Sequence, residues 1–313
     1  MLDYIGILSV TLPVYLLMVT GAALRKTGIL PTESDKGLMK LCVTILTPAL
    51  ILERVAGNPA VMEPVPVLVA AGLGYALVVI GIFISYALAP LIGLRVHEGR
   101  RTFGVACGLQ NYGFVAIPIV AALFKSPGML GVLFTLTLGI EMACWTACVG
   151  MLTGFNKAPL KLALNPPVIT ILVALLLNFT GLHGYIPAVA HNTLGMLGAC
   201  AVPLAVLLIG ASIADIWGLE PMNWKIAVLS PILRLFLIPM IFLAAAVYLP
   251  ISVELKRILI VQAAMPSAVF NIVIARLYGG HPATAVQTVL ATTVVSCVTT
   301  PFVIAWALKL VGV

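Results

Sequence analysis

Polar side chains are scarce in this chain, and the few inside its apolar runs gather in two places. Gln110, Asn111 and Tyr112 interrupt one run (GLQNYGFVAIP, 108–118), and Gln262, Pro266, Ser267 and Asn271 interrupt another (IVQAAMPSAVFNIV, 260–273). Amides and hydroxyls can both donate and accept, so such a set can surround a small polar ligand without contributing charge. Pro266 lacks an N–H and clashes with the carbonyl one turn earlier, which breaks or kinks a helix. In the first run Gly113 and Pro118 follow the polar residues. Backbone groups freed deep in a membrane must be satisfied by protein or by a water-lined cavity. The half-helix N-termini that follow such breaks carry partial positive charge, which suits an anion. A single interrupted run reads as a packing kink. Two at corresponding positions read as a binding site, to which Thr47, just before Pro48, is a further candidate contributor.

Two ionisable residues lie within apolar runs. Glu141 is central in GVLFTLTLGIEMACWTACVG (131–150). A charge at the bilayer centre costs roughly 2.5–3.5 kcal/mol on insertion scales, so it needs a partner, solvent or a proton. One expectation is a coupling-ion site, with Glu141, Thr137 one turn away and Asn111 holding Na⁺, or with Glu141 carrying H⁺. The other is a structural ion pair or a protonated, hydrogen-bonded glutamate. Arg234, between Pro231 and Pro239, is a candidate counter-charge for a carboxylate; its alternative is a structural pair with Glu141 or with helix-end carbonyls. Thr292, Thr293, Ser296, Thr299 and Thr300 form a hydroxyl-rich run that reads chiefly as helix-to-helix glue. The histidines His97, His183, His191 and His281 stand in loops or at the ends of runs, without metal spacing. The cysteines at 42, 107, 144, 148, 200 and 297 read as small buried hydrophobes, with no CxxC pair among them. No metal is expected beyond Na⁺, and no cofactor.

The elements that must position these residues are membrane helices. The chain of 313 residues is 62% hydrophobic and 9% charged, with mean hydropathy +1.18, where a soluble domain is about a quarter charged. Ten apolar segments long enough to span a bilayer can be marked, at 4–24, 37–56, 65–93, 103–124, 128–153, 163–181, 190–214, 225–249, 257–279 and 284–310. The first is too long for a signal peptide's core and is read as a span. The loops are short. With the N-terminus outside, eleven basic residues fall inside (25, 26, 36, 40, 95, 100, 101, 157, 161, 225 and 276) and five outside (54, 125, 256, 257 and 309). That bias puts both termini on the non-cytoplasmic side of an inner (plasma) membrane. It also accounts for the net charge of +7 without nucleic acid.

Five plus five spans suggest a repeat, 1–155 and 156–313. Pro48 and Pro203 match at an offset of 155, and an offset of 156 lays Gln110-Asn111 over Pro266-Ser267. An odd number of spans per half makes the repeat inverted. The expected fold is therefore an all-α polytopic membrane protein of ten transmembrane helices, in two inverted five-helix repeats, with broken helices 4 and 9 crossing.

The stretches IVQAAMPSAVFNIVIARLYGGHP (260–282) and QNYGFVAIPIVAALF (110–124), with KLCVTILTPALIL (40–52) and LRLFLIP (233–239), resemble the auxin efflux carrier family, which includes the plant PIN-formed carriers and many bacterial permeases. The resemblance covers essentially the whole chain. It implies a scaffold unit (about 1–60 and 160–217) that often dimerises, and a transport unit (about 65–153 and 225–310) that moves like an elevator, with substrate held where helices 4 and 9 cross. By resemblance Asn111 is the crossover asparagine and Pro266 the crossover proline. Gln110 stands where the plant carriers usually have proline, which weakens auxin itself as the substrate. About ten residues around Lys157 replace the long cytosolic loop of many plant carriers. The similarly folded bile acid sodium symporters place sodium near their crossover.

These readings converge on secondary active or facilitative transport of small organic anions, such as mono- or dicarboxylates, with Na⁺ or H⁺ as candidate coupling ion, membrane lipid around the chain and a homodimer through the scaffold. The alternatives are a channel-like facilitator, against which stands the lack of a repeated filter loop, and a non-transporting sensor or membrane enzyme. A sensor needs an output domain, and an enzyme needs clustered acids, histidines or a motif such as G-x-S-x-G or a P-loop; the sequence has none of these.

Overall fold

The computed structural model describes residues 4–126, 128–154, 165–217 and 223–313; the loop around Lys157 lies outside them. Among the described residues the fold is all-helical, with 84% of them in helix. Among the described residues six helices are long and apolar enough to cross a membrane: α1 (Tyr4–Lys26), α3 (Pro64–Ile92), α6 (Gly128–Thr153), α8 (Ala188–Ile216), α9 (Trp224–Tyr248) and α12 (Pro282–Val311). Between them lie α2 (residues 32–55), α7 (Pro166–Phe179) and two pairs of short helices, α4 (Arg101–Gly108) with α5 (Ala116–Leu123), and α10 (Val253–Ala264) with α11 (Phe270–Leu277).

The pairs arise where the polar residues interrupt the apolar runs. Leu109 and Met265, the residues that end α4 and α10, are both extended. Proline need not break a helix elsewhere: Pro203 and Pro301 are inside α8 and α12. In α2 the helix widens to a π turn at Cys42–Leu46 just before Pro48. Similar π turns widen α6 at Cys144–Cys148 and α9 at Ile232–Leu237, the second carrying Arg234. Such turns insert one residue into the helical ladder and are common at functional sites.

Two sets of helices pack side by side. In one, α1 lies along α8, and α2 packs on α8 and α7. In the other, α3 packs on α6 and α4, α9 on α10 and α12, and α12 on α4, α10 and α11. Glycines let backbones touch within each set. A Cβ on Gly21 of α1 would run into the Leu207 carbonyl of α8, and one on Gly210 of α8 into the Met18 carbonyl of α1. Gly74 of α3 and Gly139 of α6 stand in the same reciprocal relation to Leu136 and Ala71. Small residues at helix contacts are how membrane helices gain van der Waals contact when lipid removes the hydrophobic drive. At one end of the first set Arg25 pairs with Asp35 at 2.5 Å and with Asp215 at 3.0 Å, tying α1, α2 and α8 together. The sets meet through α1 on α12 and α5, and through α2 and α7 on α6.

Outward faces carry large apolar side chains, among them Ile5, Leu16, Leu68, Phe236, Val298 and Phe302. Four cysteines are buried as expected, but Cys200 and Cys297 are exposed on this apolar outer surface. The reason is that a membrane helix is apolar on its lipid face too, so an apolar run does not imply burial against protein. Among the described residues no three His, Cys, Asp or Glu side chains cluster as metal ligands.

Candidate functional site at the crossing of two broken helices

The two interruptions lie against each other. Gln110 and Ser267 form an isolated antiparallel bridge. The Asn111 N–H donates to the Pro266 carbonyl at 2.7 Å, and the Ala268 N–H donates to the Leu109 carbonyl at 3.1 Å. Thus the backbone groups freed by each break are satisfied by the other. Proline can only accept at this position, and it does.

Side chains reinforce the crossing. Gln110 Nε2 donates to Gln262 Oε1 (3.2 Å), and Gln262 Nε2 donates to the Tyr112 carbonyl (3.0 Å). The Ser267 hydroxyl donates to the Ala106 carbonyl (2.6 Å), and Asn271 Nδ2 donates to the Leu109 carbonyl (3.1 Å) and to Ser267 Oγ (3.0 Å). These two residues therefore close the C-terminal end of α4. Thr292 of α12 accepts from the Ser267 N–H (3.2 Å), and Thr300 donates to the Ala264 carbonyl (3.0 Å).

Arg234 is fully buried. It does not pair with Glu141. Its guanidinium donates to the carbonyls of Met265 (3.1 Å), Gln262 (3.3 Å) and Ala263 (3.5 Å), and lies 5.6 Å from the Phe242 ring centroid. A cation is favourable at a helix C-terminus, where unpaired carbonyls carry partial negative charge; here it neutralises the end of α10. Its Nη1 has no protein partner, and neither do Gln110 Oε1 and Asn271 Oδ1, all buried. Asn111 is buried too, yet among the described residues no hydrogen bond involves its side-chain amide.

Glu141 is half-buried in α6 and faces three donors. The Tyr112 hydroxyl donates to Oε1 at 2.5 Å; Trp145 Nε1 and Asn165 Nδ2 each donate to Oε2 at 3.0 Å. An ionised carboxylate accepts only, so three donors match that form. The expected partners Thr137 and Asn111 are not joined to it: Thr137 donates to the Phe134 carbonyl of its own helix. Thr47 is buried in α2 beside the Cys42 thiol (4.0 Å) and makes no hydrogen bond to the crossing. The structure thus brings together Gln110, Asn111, Gln262, Pro266, Ser267, Asn271 and Arg234, links Tyr112 to Glu141, and leaves Thr47 and Thr137 apart.

Two residues that sequence reasoning passed over take part. Asn165 N-caps α7, its Oδ1 accepting from the Val168 N–H at 3.0 Å, while its Nδ2 holds Glu141. Asn followed by Pro166 at the first helical position is the signal that could have found it. Trp145 stands one turn from Glu141. The hydroxyls of α12 act as glue: the Tyr15 hydroxyl of α1 donates to the Ser296 carbonyl and lies 3.1 Å from Thr300 Oγ1.

The sequence matches the family model described as membrane transport protein over residues 7–155 and 150–304. It is 25% identical over 281 residues to an uncharacterized transporter of Methanocaldococcus jannaschii, a match covering 87% of this chain and 89% of the relative. It is 24% identical over 297 residues to an uncharacterized transporter of Methanothermobacter thermautotrophicus, with the same coverage. Together with the multi-pass helical fold and the broken helices at its centre, these matches show that the chain belongs to the membrane transport protein family, the auxin efflux carrier-like transporters.

Proposed function

We propose that this protein is a secondary active or facilitative carrier of small organic anions, mono- or dicarboxylates, that binds its substrate at the crossing and moves it by an elevator-type alternation. The observation that carries this reading is the set of open polar groups there. The backbone of the crossing is closed by its own hydrogen bonds, while Arg234 Nη1, Gln110 Oε1 and Asn271 Oδ1 are buried without partners among the described residues, and none of those residues hydrogen-bonds the Asn111 amide. Buried polar groups of this kind are costly unless something else satisfies them. Half-helices α5 and α11 begin six residues after Gln110 and three after Ser267, and their N-termini carry partial positive charge.

The reading carries a ten-span topology, in which α4 with α5 and α10 with α11 are two broken spans of inverted repeats. An antiparallel bridge has a local two-fold axis. The axis through Gln110 and Ser267 exchanges residues 157 apart, within one or two residues of the 155–156 offset in the sequence. The two packed sets support a division into a scaffold (α1, α2, α7, α8) and a moving unit (α3–α6, α9–α12), with dimerisation assigned to the scaffold and the charge bias placing both termini outside. Glu141 remains the candidate for Na⁺ or H⁺ coupling, now through Tyr112 and Asn165 rather than Asn111 and Thr137.

Purified protein in proteoliposomes tests the function. A carrier takes up labelled carboxylates with saturation, and internal unlabelled substrate accelerates the uptake by counterflow. Linear, non-saturating flux is the outcome of a channel and sinks the proposal.

A further inference from the structure

A second feature lies away from the crossing. Helices α5 and α12 end, and α10 begins, around a cavity of about 550 Å³ lined by Leu123, Phe124, Lys125, Ser126, Arg257 and Lys309, with Leu308, Gly312 and Val313 at its edge. The face on which it lies has five basic residues by the charge count, and three of them line this one cavity. Of the other two, Arg54 pairs with its neighbour Glu53 and Lys256 is not among the lining residues. No ion pair among the described residues involves Lys125, Arg257 or Lys309, and no Asp or Glu side chain lines the cavity. Counting a main-chain carboxylate at Val313 still leaves two positive charges in excess. The Arg257 guanidinium sits 5.5 Å from the Phe124 ring centroid, which steadies it, and its Nε–H is buried without an acceptor.

We infer that this cavity is a second, peripheral site for an oxyanion, a carboxylate or a phosphate group. Three like charges held around one space repel one another, and an anion between them removes that cost. A planar guanidinium with free N–H groups suits the paired oxygens of either group, and Ser126 adds a hydroxyl donor. The apolar Leu123, Phe124 and Leu308 would take the hydrocarbon part of the ligand. The shared chemistry has two sources, a soluble organic anion or phosphate and the headgroup of an anionic lipid.

The test is binding by the full chain. Protein in neutral detergent is titrated with succinate and with inorganic phosphate. In a second arm it is placed in nanodiscs of phosphatidylcholine with or without phosphatidylglycerol, and its melting is followed. The variants are Arg257→Gln, the triple Lys125→Gln/Arg257→Gln/Lys309→Gln, and Lys256→Gln as a charge-matched control. The crossing is intact in all of them, so binding there persists in the triple variant. The inference predicts a binding component, weakened by salt, that drops at least tenfold in Arg257→Gln, vanishes in the triple variant and survives in Lys256→Gln. Loss of the succinate or phosphate component identifies a soluble anion; loss confined to phosphatidylglycerol identifies the lipid headgroup. Identical titrations and melting in wild type and a cooperatively folded triple variant overturn the site. Should the triple variant fail to fold, unchanged titrations in Arg257→Gln overturn it equally.

Discussion

The main-chain N–H of Asn111 donates to the carbonyl of Pro266 across 2.7 Å, joining the breaks of two half-helix pairs. The consequence is a division of labour within one residue. Its backbone holds the crossing together, and its side-chain amide, without a protein partner among the described residues, is the group the proposed function assigns to the substrate.

Arg234 serves the framework. Replacing it with Gln removes the guanidinium donors from three carbonyls at the end of α10. Hydrogen bonds to charged groups contribute about 1.5–3 kcal/mol each, and their losses are not additive, so Arg234→Gln should lower stability by about 2–4 kcal/mol. Arg234→Lys should recover only part of this, because an ammonium cannot fork across several carbonyls. Thermal unfolding in detergent measures both; a wild-type melting temperature for Arg234→Gln would remove the guanidinium from this role.

Tyr112 and Glu141 should behave as one unit. Tyr112→Phe removes the 2.5 Å hydrogen bond and Glu141→Gln turns its acceptor from a carboxylate into a neutral amide oxygen, and in a double-mutant cycle their effects should fall short of additivity by about 1 kcal/mol or more. Glu141→Gln should also shift the emission of Trp145, read with the tryptophans at 217, 224 and 306 replaced by Phe. Additive losses with unchanged emission would mean that the bond contributes nothing.

Gly139→Ala tests the close approach of α6 to α3. Its new methyl meets the Ala71 carbonyl, and the helices must separate. Overpacking of this kind costs typically about 1–3 kcal/mol, so the melting temperature should fall. Gly72→Ala on α3, where a Cβ meets nothing within 4 Å, should leave it unchanged. Equal melting of the two variants would contradict the packing described.

Much of this was legible from residue types. A break at Gln110–Gly113 and another at Pro266 follow from polar and helix-breaking residues inside apolar runs, and α1 and α6 lie within two residues of their expected limits. Other features were not. The apolar segment begins at 37 and leaves the charged TESDK (32–36) outside it, yet these residues open α2, a helix with one polar side that continues into the apolar stretch. The π turns leave no mark in hydropathy. For Arg234 the sequence offered helix-end carbonyls among its alternatives, and these are its partners; Glu141 announced only that it needed a partner, a solvent path or a proton. Which carbonyls Arg234 took, and that Glu141 took the Tyr112–Trp145–Asn165 set, depended on contacts between elements.

The most direct test of the account is Asn111→Ala in proteoliposomes, with uptake of labelled mono- and dicarboxylates compared with wild type at equal protein incorporation. Because the Asn111 backbone bond survives the substitution and its amide has no protein partner, the melting temperature should stay within about 2 °C of wild type, as expected of a change of under about 0.5 kcal/mol. Uptake should fall at least tenfold, as expected when about 1.4 kcal/mol or more of binding energy is lost. Wild-type uptake by a well-folded Asn111→Ala protein would contradict the placement of the substrate at the crossing.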